Sequence, residues 1–192
     1  MKLILGSASA RRKKILEDMG FSFEIITPNI DEKAIRLDDP QRLVLALANA
    51  KADAILGKIR EPAIIITSDQ VVSFNDLILE KPEDAEDAKR MLRSYANASV
   101  KPVTSVVVTN TINNQRFSGV DVAAVDFKRF TEDSLDKIIA NREVNVLDRA
   151  GGFAVEHPLF SPFIERIHGE VESIMGLPKT LTLKLLAKAN YD

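Results

Sequence analysis

Asp69 stands between two apolar runs in the stretch AIIITSDQVVSF (63–74): three isoleucines precede it, and Val71 and Val72 follow. Such a run reads as a strand buried on both faces, where a carboxylate is costly to desolvate unless something compensates. Lys51 is an oddity of the opposite sign. At about 100° per residue, Arg42, Asn49 and Asp53 share one face of the segment that begins at Pro40. Val44, Leu47 and Ile55 lie opposite, and Lys51 falls in the middle of that apolar face. Its stem can pack on the core while the ammonium snorkels out, or the ammonium can project into a cleft and meet an anion.

Arg11, Arg12, Lys13 and Lys14 open a helix after a turn containing Gly6, Ser7 and Ser9. Bases at a helix N-terminus oppose the dipole, whereas unpaired N–H groups and serine hydroxyls there suit an anion. The arrangement is either a phosphate site or a solvated basic turn. It is not a Walker loop, since the glycine-lysine pair is missing. Asp31 and Glu32 follow one strand and Asp69 another, so carboxylates at strand ends can converge on a hard cation such as Mg²⁺. Lys81, in LEKP, reads equally well as a surface turn. His157 and His168 lack the neighbours a zinc site needs, and no serine sits in a G-x-S-x-G setting.

The elements that must position these residues are punctuated clearly. A strand over Lys2 to Leu5 leads to a helix capped by Ser7 or Ser9 and ending near Gly20. FSFEIITP reads as a short strand. Asp39 and Pro40 start a long helix running to about Lys58. Asn75-Asp76 marks a hairpin after the isoleucine strand, and EDAEDAKRMLRSYA reads as a helix with acids first and bases last. Two β-rich stretches, Pro102 to Ile112 and Arg116 to Phe130, flank the turn NNQ. A helix from about Glu132, an irregular segment around DRAGGFAVEHPLF and a final helix after GLP complete the chain. Strands and helices alternate with hairpins, so the class is mixed α/β.

The 192 residues suit one domain or two lobes sharing a core. With 45% apolar and 28% charged residues the chain reads as globular. A net charge of −2 gives no general attraction to nucleic acid or to an anionic membrane. Cysteine is absent, which removes disulfides, thiol nucleophiles and thiolate-bound metals and fits a reducing cytoplasm. The apolar run in MKLILGSASARRKK spans only Leu3 to Leu5, a strand rather than a signal peptide, and no window suggests a membrane span. Two function classes survive: a phosphate-handling enzyme, and a binding module displaying the same charges without chemistry. Burial of Asp69 and Lys51 favours the enzyme.

In order along the chain, GSASARR (6–12), DE (31–32), AKA around Lys51, SDQVV (68–72), LEKP (79–82), DAKRML (87–92), VTSVVV (103–108), DRAGGFAVE (148–156) and GLP (176–178) resemble the Maf proteins. The resemblance implies a fold related to the inosine-triphosphate pyrophosphatases, a single Maf-like domain over 1–192 whose two lobes surround an elongated mixed sheet with a central cleft. It implies a cytoplasmic nucleoside triphosphate pyrophosphatase with a house-cleaning role, dependent on a divalent metal (Mg or Mn), commonly homodimeric, and without a nucleic-acid or membrane partner. Ser7, Arg12, Lys51 and Lys81 would hold the phosphate chain. Glu32 and Asp69 would hold the metal, and Asp69, with Lys51 and Lys81, would carry catalysis. Whether Asp69 acts chiefly as base or as metal ligand stays open.

Base preference in this resemblance rests on Arg11, Gln70 and Glu156. Members acting on thymidine and uridine triphosphates have Arg, Thr and Gln there; those preferring 7-methylguanosine triphosphate have Trp, Gln and Glu. The chain is a hybrid that leans to methylated guanine, because a carboxylate can accept both N1–H and N2–H₂ of guanine. The alternatives are a pyrimidine triphosphate pyrophosphatase, or a nucleotide-binding division inhibitor without turnover. Val100 and Ser105 depart from the family pattern, where histidine and glycine are common.

Overall fold

The computed structural model describes residues 1–191. The chain divides into two compact units: residues 1–70, 104–121 and 176–192 form the first, residues 71–103 and 122–175 the second.

The first unit is built on a sheet of strand order β2-β1-β3-β5-β6, with β1 at Lys2–Gly6, β2 at Glu24–Ile25, β3 at Ala63–Phe74, β5 at Lys101–Asn110 and β6 at Gln115–Val122. β1 runs parallel to both β2 and β3, and its register places Leu5 beside Ile66 and Gly6 beside Thr67. Leu3, Ile4, Leu5, Ile64, Ile65 and Ile66 are all buried, as strands covered on both faces require. The expected strand in FSFEIITP shrinks to Glu24–Ile25. It lies at the sheet edge with both residues exposed, so little burial holds more of it in place.

Helix α1 (Ala10–Asp18) is capped by Ser9, whose hydroxyl accepts the Arg12 N–H, and Gly20 follows at a φ of 84°. Helix α2 (Pro40–Leu56) is capped by Asp39, with proline in its first turn. Its apolar face is buried through Leu43, Val44, Leu47, Ala48, Ala52 and Ile55. Small residues let it lie close: Thr67 Oγ1 on β3 donates to the Ala48 carbonyl at 2.7 Å, and Ser105 Oγ on β5 donates to that of Val44 at 2.7 Å. The opposite face carries Asn49 and Asp53, which Arg116 on β6 binds at 3.0 and 2.6 Å. α6 (Lys179–Lys188) completes the unit.

In the second unit, the far end of β3 pairs antiparallel with β4 (Leu77–Leu79) across Asn75 and Asp76, both at positive φ, as a tight hairpin turn demands. α3 (Ala85–Ser94) and α4 (Glu132–Ala140) pack here, joined by the Arg93–Glu132 pair. β7 (Ala124–Phe127) pairs with β8 (Ile164–His168), and α5 (Val171–Ile174) follows. The β-rich stretch expected to Phe130 therefore breaks into β6 and β7. β8 was absent from the sequence reading because its two half-buried residues, Ile164 and Ile167, are three apart with exposed residues between them, which is not the alternation of a half-buried strand.

The core of this unit is aromatic. Tyr95 lies 5.2 Å from Phe74, 5.9 Å from Phe127 and 6.0 Å from Phe153 between ring centroids, and its hydroxyl donates to the Gly151 carbonyl at 2.7 Å. Gly151 and Gly152 have φ of 69° and 68°, and a Cβ on Gly151 would come within 3.1 Å of the Tyr95 hydroxyl. The AGG glycines thus serve a turn packed against the core. Val100 is fully buried and bridges Val125, which explains an apolar residue where a histidine would need a polar partner. Among the described residues no helix is long and apolar enough to cross a membrane.

Candidate active site

The register of β1 and β3 assembles the site. Because Gly6 lies beside Thr67, β1 ends while β3 runs on to Phe74, so Asp69 lies within its strand rather than after it as the sequence suggested, and Ser7 comes beside Ser68 and Asp69 at the carboxyl end of β1. This is the edge where open α/β sheets bind ligands. Gly6 has no room for a side chain, since a Cβ would meet Ile55 Cδ1 at 2.3 Å and Thr67 Cγ2 at 2.6 Å.

The Lys51 ammonium meets anions, and they are the protein's own carboxylates. Its side chain is 8% exposed, so it does not snorkel, and its Nζ sits 2.9 Å from Glu32 Oε1 while donating to Asp69 Oδ1. Asp69 is equally buried. Burial pushes the Asp69 carboxyl above the ordinary carboxylate range; Lys51 and Arg12 pull it down by less, and Glu32 adds to the rise. The carboxylate is held under desolvation with two cations near it. Its N–H is satisfied by Ser105 Oγ at 3.3 Å, and that hydroxyl in turn donates to α2. Ser105, a departure from the family's glycine, therefore ties the strand that carries Asp69 to the helix that carries Lys51. Replacing Ser105 with alanine leaves a buried N–H and a carbonyl without this hydroxyl, and should lower stability by about 1–3 kcal/mol in urea titrations.

Arg12 is the second hub. Its Nε donates to the Gly176 carbonyl at 2.9 Å, and its Nη1 to the Ser68 carbonyl at 2.8 Å and to Ser7 Oγ at 3.4 Å. Ser68 Oγ also donates to Gly176 O, at 2.8 Å. Burial lowers the affinity of the guanidinium for its proton, against the opposing pull of Asp69 and Glu32; a guanidinium stays charged regardless. The remaining bases of α1 are partly accounted for by the surface: Lys13 and Lys14 face Glu17 and Asp18 one turn on, at 3.7 and 3.1 Å. Arg11 is half-buried in the first turn. Gln70, next to Asp69, donates from Nε2 to Thr104 Oγ1 at 2.8 Å.

Ser7, Arg12, Glu32, Lys51, Asp69 and Gln70 are thus joined within the first unit. Lys81 and Glu156 belong to the second. Lys81 pairs there with Asp148, both largely exposed, and Arg149 engages Glu156 Oε1. Asp31 instead caps a short 3-10 turn, accepting the Lys33 N–H at 3.0 Å. Ser68, Thr104 and Gly176 lie in the quoted motifs SDQVV, VTSVVV and GLP, but sequence reasoning gave none of them a role at the site. Gly176 lies 164 positions from the arginine that binds its carbonyl, and only its place in the GLP motif signalled it.

The family model described as "Maf-like protein" matches residues 2–189. The chain belongs to this Maf-like family. A 7-methyl-GTP pyrophosphatase of Dictyostelium discoideum is 43% identical over 98% of this Maf-like chain and 97% of its own length. A dTTP/UTP pyrophosphatase of Vibrio cholerae is 34% identical over 97% of each. A solved nucleoside-triphosphatase, dITP/XTP pyrophosphatase of Mycobacterium abscessus covers 68% of the Maf-like chain and 76% of its own, at 10% identity and a TM-score of 0.40, a likeness too slight to carry an argument.

Proposed function

We propose that the chain is a nucleoside triphosphate pyrophosphatase that cleaves between the α- and β-phosphates, releasing nucleoside monophosphate and pyrophosphate. The observation that carries this reading is the buried Asp69 carboxylate, raised in pKa and held against Lys51 at the edge where Ser7 and the N-terminus of α1 present donors. Asp69 takes the proton of a water attacking the α-phosphorus. Lys51 neutralises charge growing on the phosphoryl oxygens, and Ser7 with the first turn of α1 holds the chain in line. The kinship with two named pyrophosphatases, at 43% and 34% identity, supports the same chemistry.

A divalent cation belongs to this proposal. Glu32 and Asp69 converge from separate segments on one cationic point, an all-oxygen donor pair that suits Mg²⁺ or Mn²⁺. Among the described residues no group of three or more His, Cys, Asp and Glu forms a complete protein cage. Two carboxylates completed by substrate phosphates are how Mg²⁺ is commonly held. When bound, the cation would neutralise phosphate charge. The roles of Lys81 in phosphate binding and catalysis, and of Arg11, Gln70 and Glu156 in base choice, rest on the family resemblance, as do a homodimer and a cytoplasmic setting.

Gln70 and Glu156, with the 43% identity, favour a methylated guanine base; Arg11 is the one residue that favours pyrimidines. The test is a panel of triphosphates with Mg²⁺ or Mn²⁺, with pyrophosphate and phosphate measured separately. Pyrophosphate should appear, fastest from 7-methyl-GTP. Release of single phosphate would place the attack at the terminal phosphorus and overturn the mechanism, and binding of nucleotides without any product would turn the reading to a regulator.

A further inference from the structure

We propose that the Lys51 ammonium is a resident counter-cation, holding the place between Glu32 and Asp69 that a divalent ion takes and releasing it only when an anion draws the ammonium away. This rests on the reading above, in which those two carboxylates hold the metal. Lys51 Nζ touches both, at 2.9 Å from Glu32 Oε1 and in a direct hydrogen bond to Asp69 Oδ1. The ammonium approaches from the buried face of α2, with a side chain 8% exposed, and so has little solvent to turn to.

Charge makes the two occupants exclusive. One ammonium leaves the carboxylate pair with a single net negative charge. A dication placed between the same oxygens would stand a few ångströms from the ammonium, where like charges repel strongly in a desolvated setting. No third carboxylate, histidine or cysteine joins the group among the described residues to offset that repulsion. Lysine suits the exchange, because its point charge rides on a flexible four-carbon stem and can move to a phosphate oxygen. Lys51 therefore orders the events at the site: without nucleotide it neutralises two carboxylates that would otherwise repel each other, and with nucleotide it changes partners.

The test is Mn²⁺ binding to the nucleotide-free protein by titration calorimetry, comparing wild type, Lys51→Met and the double variant Lys51→Met/Glu32→Gln, each checked for native circular dichroism. Wild type should bind Mn²⁺ weakly, Lys51→Met at least tenfold more tightly, and the double variant should lose that gain. A Lys51→Met protein that binds Mn²⁺ no better than wild type overturns the proposal, as does a double variant that keeps the gain.

Should Lys51→Met fail to fold, the wild type supplies the measurement through the nitrogen resonance of its Lys51 ammonium. Mg²⁺ alone should leave that resonance in place, and Mg²⁺ with a non-hydrolysable α,β-imido triphosphate should shift it. A shift with Mg²⁺ alone overturns the proposal. Neither measurement depends on turnover. With turnover read on the wild type, normal pyrophosphate release and no Mn²⁺ gain in Lys51→Met would remove only the Lys51 proposal, whereas the expected Mn²⁺ gain in Lys51→Met beside a wild type that releases no pyrophosphate would remove only the pyrophosphatase reading.

Discussion

Asp69→Asn should reduce pyrophosphate release by about a thousandfold, the scale on which a positioned general base acts, while leaving the protein at least as stable at pH 7. The first half follows from chemistry, since an amide can neither accept the proton of the attacking water nor carry charge toward a cation. The second follows from the direction of the pKa shift. Burial raises the Asp69 carboxyl above its unfolded value, and the opposing pull of Lys51 and Arg12 is smaller. The stability this group contributes is fully present below the unfolded pKa of about 3.9, and is lost as pH rises through the higher folded value. Asparagine mimics the protonated form and so escapes that loss. Thermal melts of the two proteins from pH 4 to pH 7 should show the variant gaining on the wild type as pH rises. In wild type, the acid limb of kcat/KM should lie above the range of an ordinary aspartate. A variant that retains turnover, or one that loses stability as pH rises, would remove Asp69 from the role given to it.

Arg12→Lys should lower kcat/KM by about a hundredfold, the scale of a misplaced reacting group, and cost about 2 kcal/mol of stability, comparable to one charge-assisted hydrogen bond. The substitution keeps the charge but removes the planar fork. In the native chain that fork reaches two carbonyls on different segments, Ser68 and Gly176, and the Ser7 hydroxyl. An ammonium cannot span them. The Gly176 turn, at a φ of 104°, and the middle of β3, where Ser68 precedes Asp69, would then lose their common anchor. Urea titration and steady-state kinetics on the purified variant measure both effects. Native kinetics in this variant would mean that charge alone is what the site takes from position 12.

What could be read from the sequence was what local chemistry encodes. Ser9, Asp39 with Pro40, and Asn75-Asp76 are caps and turns whose side chains or backbone angles act within three residues, and each falls where expected. The misplaced charges at 51 and 69 were visible because they broke the periodicity around them, and they prove to be partners across 18 positions. β8 and α5 were invisible for the complementary reason: both are short, and tertiary packing rather than local pattern selects them. The links from Arg12 to Gly176 and from Ser105 to α2 were equally hidden, since a hydroxyl or a carbonyl carries no sequence mark of the distant group it will bind.

The tight packing beneath Gly6 has a consequence for affinity. The β1 strand reaches its end pressed against Ile55 and Thr67 with no slack, so the turn that presents Ser7, Ser9 and the first amides of α1 begins from a fixed floor. On the proposed reading, a triphosphate arriving there would meet donors already in place. Little of its binding free energy would be consumed in ordering the loop, and more of it would remain to distort the reacting phosphate.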